Sequence, residues 1–328
     1  MAIQFGRNSY IQVKEESTYG TAETSGLTDM RLVSCTLQKT IERSKKTYLN
    51  HGEAGFVNST FDAFNVTGGN ITGPLHYAGN GDILLASLGQ VVTTGSSAPY
   101  SHTFKPLAAL PSITVNLFRG KRAGSANHPF KEVFKGCMVS TLTISCAAGE
   151  EATFSAEIIA QDSDARAATN NTVAFPASAE PVFHHQLTSA RLSWNGSANY
   201  EIRSFEIVID NKLERRNNLG TQLTAEPTIS DVREVRMTVT MDLDSEQFYT
   251  DFITTPSAVD GDAILIMDGV GSHNEMTFTI HNAVIEEYSD PLTTFGRIEA
   301  TVTFLGTVST GGDEAISIKM QNGNANPI

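Results

Sequence analysis

The sequence is short of charge, of cysteine and of tryptophan, and each shortage removes a class of function. Charged residues make up 18% of the 328 residues, below the usual quarter, so the surface must be built from Ser, Thr, Asn, Gln and Gly. That polar composition suits sheets better than helices. The three cysteines, Cys35, Cys137 and Cys146, form no Cys-x-x-Cys pair. So sparse and odd a count argues against a disulfide framework and points to a reducing compartment, with the thiols buried as small apolar groups. Trp194 is the single tryptophan beside eight tyrosines, which is thin material for a sugar-stacking platform. Apolar runs such as Ala263–Met267 are far too short to cross a bilayer. The first residues, Met1 to Arg7, show no apolar core followed by a cleavage site, so no secretory signal is expected. The chain is expected to be made in a cytosol, to stay soluble and to have no membrane partner.

Catalytic signatures are missing too. The chain has no Gly-x-Ser-x-Gly elbow, no phosphate-binding loop and no dinucleotide fingerprint. His184-His185 has no Cys or carboxylate at ligand spacing and reads as a turn-edge pair. Asp242, Asp244 and Glu246 are spaced acids without the glycine of a calcium loop, and they read as a strand end and helix cap. Asp260-Gly261-Asp262 reads as a turn. No catalytic residue, metal or cofactor is expected, and the chain is not read as an enzyme.

The net charge is −13, which repels nucleic-acid phosphates and disfavours DNA reading. The charge is uneven. Residues 1–186 hold 14 Lys+Arg and 15 Asp+Glu, whereas residues 187–328 hold 9 and 21. The halves therefore carry −1 and −12.

What the sequence has in abundance is strands. Ser112–Leu117, Leu142–Cys146 and Ala152–Ile158 alternate polar and apolar residues, the period of a half-buried strand. Glu206–Ile209, Arg236–Thr240, Met276–Ile280 and Ile298–Phe304 do the same in the second half. Two short helices are expected. The first is Gly81–Gly89, capped by Asp82 and closed by Gly89; the second is Asp244–Ile253.

These elements recur in one order: strand, basic loop, strand, helix, strand, hairpin. Ser34–Leu37 lines up with Ser204–Ile207 at an offset of 170 (204 − 34). Ile71 and Leu75 line up with Val235 and Val239 at 164, and Ile113–Leu117 with Ala263–Met267 at 150. Gly136–Val139 meets Asn282–Ile285 at 146, and Phe154, Ala156 and Ile158 meet Ile298, Ala300 and Val302 at 144. An offset that changes only in loops is the mark of a duplicated domain. The reading is all-β dominated, with a short helix per domain. It places an N-terminal arm at 1–30, a first domain at 31–162, a linker at 163–186, a second domain at 187–308 and a C-terminal arm at 309–328.

With those features in place the chain resembles the tail-tube proteins of long-tailed bacteriophages, specifically the group with a duplicated tube domain. Tyr10–Ala22, with its Lys14-Glu15-Glu16 and Tyr19-Gly20-Thr21, carries part of the likeness. So do Gly69-Asn70-Ile71-Thr72-Gly73 leading into Ile83–Gly89, and Leu187–Asn211. Pro74 departs from the strand pattern and implies an edge or bulge. The resemblance implies two tandem β-sandwich or split-barrel domains, each with a helix packed outside. It implies a virion protein, synthesised in the bacterial host cytoplasm, whose rings stack into a hollow tube through which DNA passes without specific binding. It implies three chains per ring, with tape-measure and tail-terminator proteins as further partners and a non-contractile tail. A decoration or baseplate protein, or a soluble β-sandwich binding module, shares the composition and stays open as an alternative.

The two basic loops, 42–66 and 212–232, are the candidate axial contacts together with both terminal arms, because long structureless loops in compact domains usually serve function. Arg43, Lys45, Lys46, Arg215 and Arg216 are expected to meet acidic partners on the next ring. The acidic second domain is expected to line most of the lumen, where negative charge would let DNA slide.

Overall fold

A computed structural model describes residues 9–46, 57, 59–120, 130–168, 182–184, 191–254, 261–269, 274–292, 296–308 and 314–326. Strands dominate. The first half runs β1 (Tyr10–Glu15), β2 (Thr28–Met30), β3 (Ser34–Cys35), β4 (Gln38–Lys46), β5 (Ser59–Pro74), α1 (Gly81–Leu88), β6 (Gly89–Thr94) and β7 (Tyr100–Pro106). It continues through β8 (Ile113–Arg119), β9 (Phe130–Ala147), β10 (Thr153–Ala160), β11 (Asp162–Ser163) and β12 (Ala167–Ala168). The second half runs β13 (Arg191–Trp194), β14 (Ser197–Asp210), β15 (Leu213–Asn217), β16 (Thr224–Ile229) and β17 (Glu234–Asp242). It ends with α2 (Gln247–Thr254), β18 (Gly261–Asp268), β19 (Glu275–Ser289), β20 (Glu299–Leu305) and β21 (Ile316–Asn322).

The expected strands are all present, and the strand pairings show one topology laid down twice. β1 pairs β8, β8 pairs β9, β9 pairs β10, β10 pairs β5 and β5 pairs β3. In the same way β13 pairs β18, β18 pairs β19, β19 pairs β20, β20 pairs β17 and β17 pairs β14. In the second half the circuit closes, because the start of β14 returns to β13. In the first half β2 pairs β1 while β3 pairs β5, so two short strands stand where β14 is one. The arrangement is a six-strand circuit, closed in the second half and interrupted in the first. Its inward positions alternate along each strand, as in Val235, Met237, Val239 and Met241 of β17. Trp194 packs against Phe304 at 5.0 Å, and Phe248 of α2 lies 6.2 Å from Phe304. Each such buried aromatic contributes about 1.5–3 kcal/mol by leaving water.

The bulges fix the correspondence between the halves. Gly136 (φ 61°) and Asn282 (φ 42°) both sit in left-handed conformation, 146 residues apart (282 − 136). Each bends the strand that turns from one sheet into the next. The pairing slips between Ile113 and Val115 in one half and between Gly261 and Ala263 in the other, an offset of 148 (261 − 113). Ser140 and Glu286 are the residues skipped opposite β10 and β20, again 146 apart (286 − 140). Ala156 then corresponds to Val302, and their partners Ile71 and Val239 differ by 168 (239 − 71). The offsets of 164, 150 and 144 expected from sequence are thus corrected to 168, 148 and 146. Those of 170 and 146 stand, since Cys35 and Phe205 pair with the equivalent Ile71 and Val239.

The two halves share one sheet. The C-terminal part of β9 pairs with β14 from Thr141↔Asp210 to Ala147↔Ser204. The result is an eight-strand order, β4–β5–β10–β9–β14–β17–β20–β19. The segments expected as terminal arms contain strands of these sheets. β1 lies beside β8, and β21 lies between β19 and β7, tying the end of the chain to the first half. Most of the expected linker, including 169–181 and 185–186, lies outside the described residues.

Both helices appear. Gly89 closes α1 in left-handed conformation (φ 107°), its N–H donating to Leu85 O. Asp82 does not cap it, however. Asn80 holds the cap position, while Asp82 is buried inside the first turn, and burial lifts its carboxyl to about 6 against the hydrogen bonds from Thr28 and the Glu15 backbone. Pro74 is the last residue of β5, opposite Thr153, so it marks a strand end rather than a bulge.

Candidate assembly surface

The two basic segments are hairpins, not structureless loops. β4 and β5 pair along their length, from Gln38↔Gly68 to Lys46↔Ser59. β15 and β16 pair from Leu213↔Ile229 to Asn217↔Thr224. Residues 47–56 and 58, between β4 and β5, lie outside the described residues.

The fold brings the hairpins side by side. β10 ends at Ala160, leaving the distal part of β5 without it. The second hairpin takes that place: Asn65 N–H donates to Gln222 O at 2.9 Å, and Gln222 Nε2 donates to Asp62 O at 3.1 Å. Tyr19 also reaches across, its hydroxyl donating to the Thr224 and Ala225 carbonyls at 3.4 and 3.3 Å.

The five basic candidates divide by geometry. Arg43 is exposed, opposite Asp62 across the ladder, with Nε 3.1 Å from Oδ1. Exposed pairs of this kind are worth about 0–1 kcal/mol, so the guanidinium remains open to another acid. Lys45 and Lys46 are exposed at the end of β4, and Lys46 Nζ sits 5.7 Å from the centre of the exposed Phe61 ring. Arg216 is exposed on β15. Arg215 faces the other way. Its Nη2 donates to Thr67 O at 2.7 Å, and its Nη1 donates to Thr224 Oγ1 at 2.8 Å and Ala160 O at 3.4 Å. Thr67 and Ala160 are the last pair of the β5–β10 ladder, so Arg215 joins the second hairpin to the first half. Half-burial lowers its pKa. Its partners lie within its own chain, which sets it apart from the other four.

A second acceptor cluster locks the start of the chain. Buried Glu16 accepts from Gly20 N–H, Ser112 Oγ, Thr114 Oγ1 and Gly136 N–H at 2.7–2.9 Å. This ties the segment after β1 to the Gly136 bulge. Glu16 stands in the family-like string Tyr10–Ala22, but its structural role is not legible there, since its four partners come from three separate segments.

Residues 6–316 match the family model described as Phage tail tube protein. The chain belongs to the phage tail tube protein family. A comparison with curated proteins finds no match. Tail tube family membership makes the chain a structural component of the phage tail and of the virion. Among the described residues no group of three or more His, Cys, Asp or Glu is placed to hold a metal ion, and no helix is long and apolar enough to cross a membrane. His184 makes an isolated bridge with Glu151, whereas His185 and Asp260 lie outside the described residues.

Proposed function

We propose that this tail tube family member polymerises into stacked rings that form the hollow tube through which phage DNA leaves the particle. The observation that carries this reading is the eight-strand sheet that runs through both halves and, among the described residues, ends in strands with one neighbour each, β3–β4 on one side and the C-terminal part of β19 on the other. Strand edges of that kind pair with further chains. Two like halves per chain give six half-units from three chains, so a trimeric ring has pseudo-sixfold order. The halves act as two tandem tube domains, near 31–162 and 187–308, and the role is structural rather than catalytic.

The paired hairpins serve as the axial contact. Arg43, Lys45, Lys46 and Arg216 project from them and meet acidic groups of the next ring, while Arg215 holds the hairpins in place. The acidic second half supplies most of the lumen charge, which repels phosphate and lets DNA slide. Tape-measure and terminator proteins set the length of such a tube, and assembly follows synthesis in the host cytoplasm. The non-contractile kind of tail fits a two-domain tube protein.

Negative-stain electron microscopy of concentrated protein tests the reading. Hollow tubes with a regular axial repeat support it, and a uniform population of monomers even when seeded with tail-tip extract refutes it. Charge reversal of Lys45 and Lys46 to Glu should then leave rings but shorten or abolish tubes.

A further inference from the structure

The two halves repeat one circuit, and the first carries a segment that the second does not. In the second half β13 and β14 are joined by two residues, Asn195 and Gly196. At the same place in the first half residues 16–27 stand between β1 and β2. A long connection without secondary structure in a compact domain usually serves a function. This insert lies across the face of β1, β8 and β9 that points away from the core. It is fastened at Glu16 by four hydrogen bonds. Further along, Glu23 N–H donates to Thr114 Oγ1 at 2.9 Å, and Lys14 Nζ donates to Ser25 O at 2.8 Å. Beneath its last residues is a cavity of about 310 Å³, with Thr24, Ser25 and Leu27 on one wall and Gln12, Asn116 and Lys131 on the other.

Asn116 is the residue that sets this cavity apart. Val115 and Leu117 face the core, so Asn116 between them faces the insert. It is 1% exposed, and neither Oδ1 nor Nδ2 has a hydrogen-bond partner among the described residues. A buried amide with donor and acceptor both unpaired is costly, and folded proteins hold few of them. The circuit itself does not require one. The offset of 148 that relates Val115 to Ala263 makes Ile264 the counterpart of Asn116 (264 − 116), and Thr277 stands for Lys131 (277 − 131 is 146). The amide and the cation thus occur only where the insert covers them.

The neighbours leave both groups open. Gln12 is directly opposite Asn116 on β1, but its Nε2 donates to Asp29 Oδ1 at 2.7 Å. Lys131 is the diagonal neighbour on β9, about 7–8 Å away between Cα atoms. Its Nζ lies 5.8 Å from the centre of the Phe118 ring and makes no ion pair among the described residues. Burial holds its pKa below the ordinary value, with Asp164 opposing that in part. Phe118 stacks on Tyr10 at 4.4 Å, which makes the floor beside Asn116 rigid.

We propose that this cavity binds a primary carboxamide, the head group of glutamine and asparagine. A ligand that satisfies Asn116 must return an acceptor to Nδ2 and a donor to Oδ1 at once. A primary carboxamide does so as a planar two-bond pair, because one of its N–H groups lies on the same side as its C=O. A trans peptide group points its N–H and C=O apart, and a carboxylate sets an oxygen against Oδ1. The carbonyl keeps a second lone pair, which accepts from Lys131 Nζ. The hydroxyls of Thr24 and Ser25 donate to or accept from the rest of the ligand. The site stands apart from ring formation. Its carboxamide comes either from a free amino acid or from a side chain of a docked protein, and the test separates the two.

The free full-length chain, isotope-labelled at its asparagine side chains, is titrated with L-glutamine and separately with blocked glycyl-glutaminyl-glycine. The Asn116 side-chain signals, assigned by their loss in Asn116→Leu, should shift saturably, with a Kd of about 1 mM for a ligand of about ten heavy atoms. Calorimetry should show L-glutamate and the Asn116→Leu variant each weakening binding at least ~10-fold. Asn116→Leu should fold, since Ile264 fills the counterpart position. Lys131→Met, which keeps the apolar stem, should weaken glutamine binding ~3–10-fold. Binding of glutamine but not of the tripeptide supports the site with a free amino acid as its ligand. Binding of the tripeptide at least as tightly supports it with a protein side chain as its ligand. No saturable shift with either, equal binding of glutamate, or binding undiminished in both variants overturns the proposal.

Discussion

Arg215→Ala should unfold the subunit more easily without touching any exposed contact. The guanidinium holds two short hydrogen bonds, to Thr67 O at 2.7 Å and Thr224 Oγ1 at 2.8 Å, and a longer one to Ala160 O at 3.4 Å. Hydrogen bonds from a charged donor are worth about 1.5–3 kcal/mol each, and an acceptor left without a partner costs about 1–3. Arg215 is only half-buried, so water recovers part of the loss. The net effect is about 2–4 kcal/mol, comprising the two short bonds discounted for that access. Urea unfolding of the free subunit at low concentration, at unchanged slope, reads it directly. Arg216→Ala, one residue on and facing solvent, should stay within about 0.5 kcal/mol. If Arg215→Ala also changed stability by less than that, the assignment of Arg215 to an intrachain lock would be wrong.

Asp82 makes stability depend on pH in an unusual direction. Its folded pKa of about 6 lies above its ordinary 3.8, so its contribution is most favourable at low pH and is lost as pH rises through about 6. Asp82→Asn should therefore raise the thermal midpoint more at pH 8 than at pH 4, by an amount equivalent to about 2–3 kcal/mol; a gain independent of pH would argue against a buried carboxylate. Gly136→Ala should destabilise by about 1–3 kcal/mol, because φ is 61° and an added Cβ would lie 3.0 Å from the Tyr19 ring. Calorimetry of the free subunit checks this, and a neutral result would mean that the bulge tolerates a side chain. Trp194→Phe should remove the 2.8 Å bond from Nε1 to Asp251 Oδ2 and cost about 1 kcal/mol, seen as faster hydrogen exchange in α2; protection equal to the parent would contradict that role.

The sequence disclosed the strands and their order because period-two alternation is a local signal. It did not fix which strand residue matched which, and the reason is geometric. The matches made in β5, β8 and β10 were off by four, two and two residues, all even numbers. An even slip keeps every apolar residue on its own face, so alternation cannot detect it. Gly136 and Asn282 escaped the error because a left-handed bulge position leaves a residue-type signature. The terminal segments were read as arms although Ile316, Ile318 and Met320 alternate inward. Their partners, β19 and β7, are far away in sequence. Arg215 and Arg216 look alike in a basic run, yet neighbours on a strand face opposite sides, and only the packing of the hairpin on the first half shows which side is covered. The β9–β14 pairing joins two strands that are each complete within their own half, so it left no mark in the sequence.

The central claim is that this tail tube family member assembles into stacked rings in which its two like halves stand side by side. Cryo-electron microscopy of assembled tubes tests it most directly. The account predicts hollow tubes with three chains per ring and pseudo-sixfold order from the two halves of each chain. Tubes with another number of chains per ring, or particles without stacked rings, would contradict it.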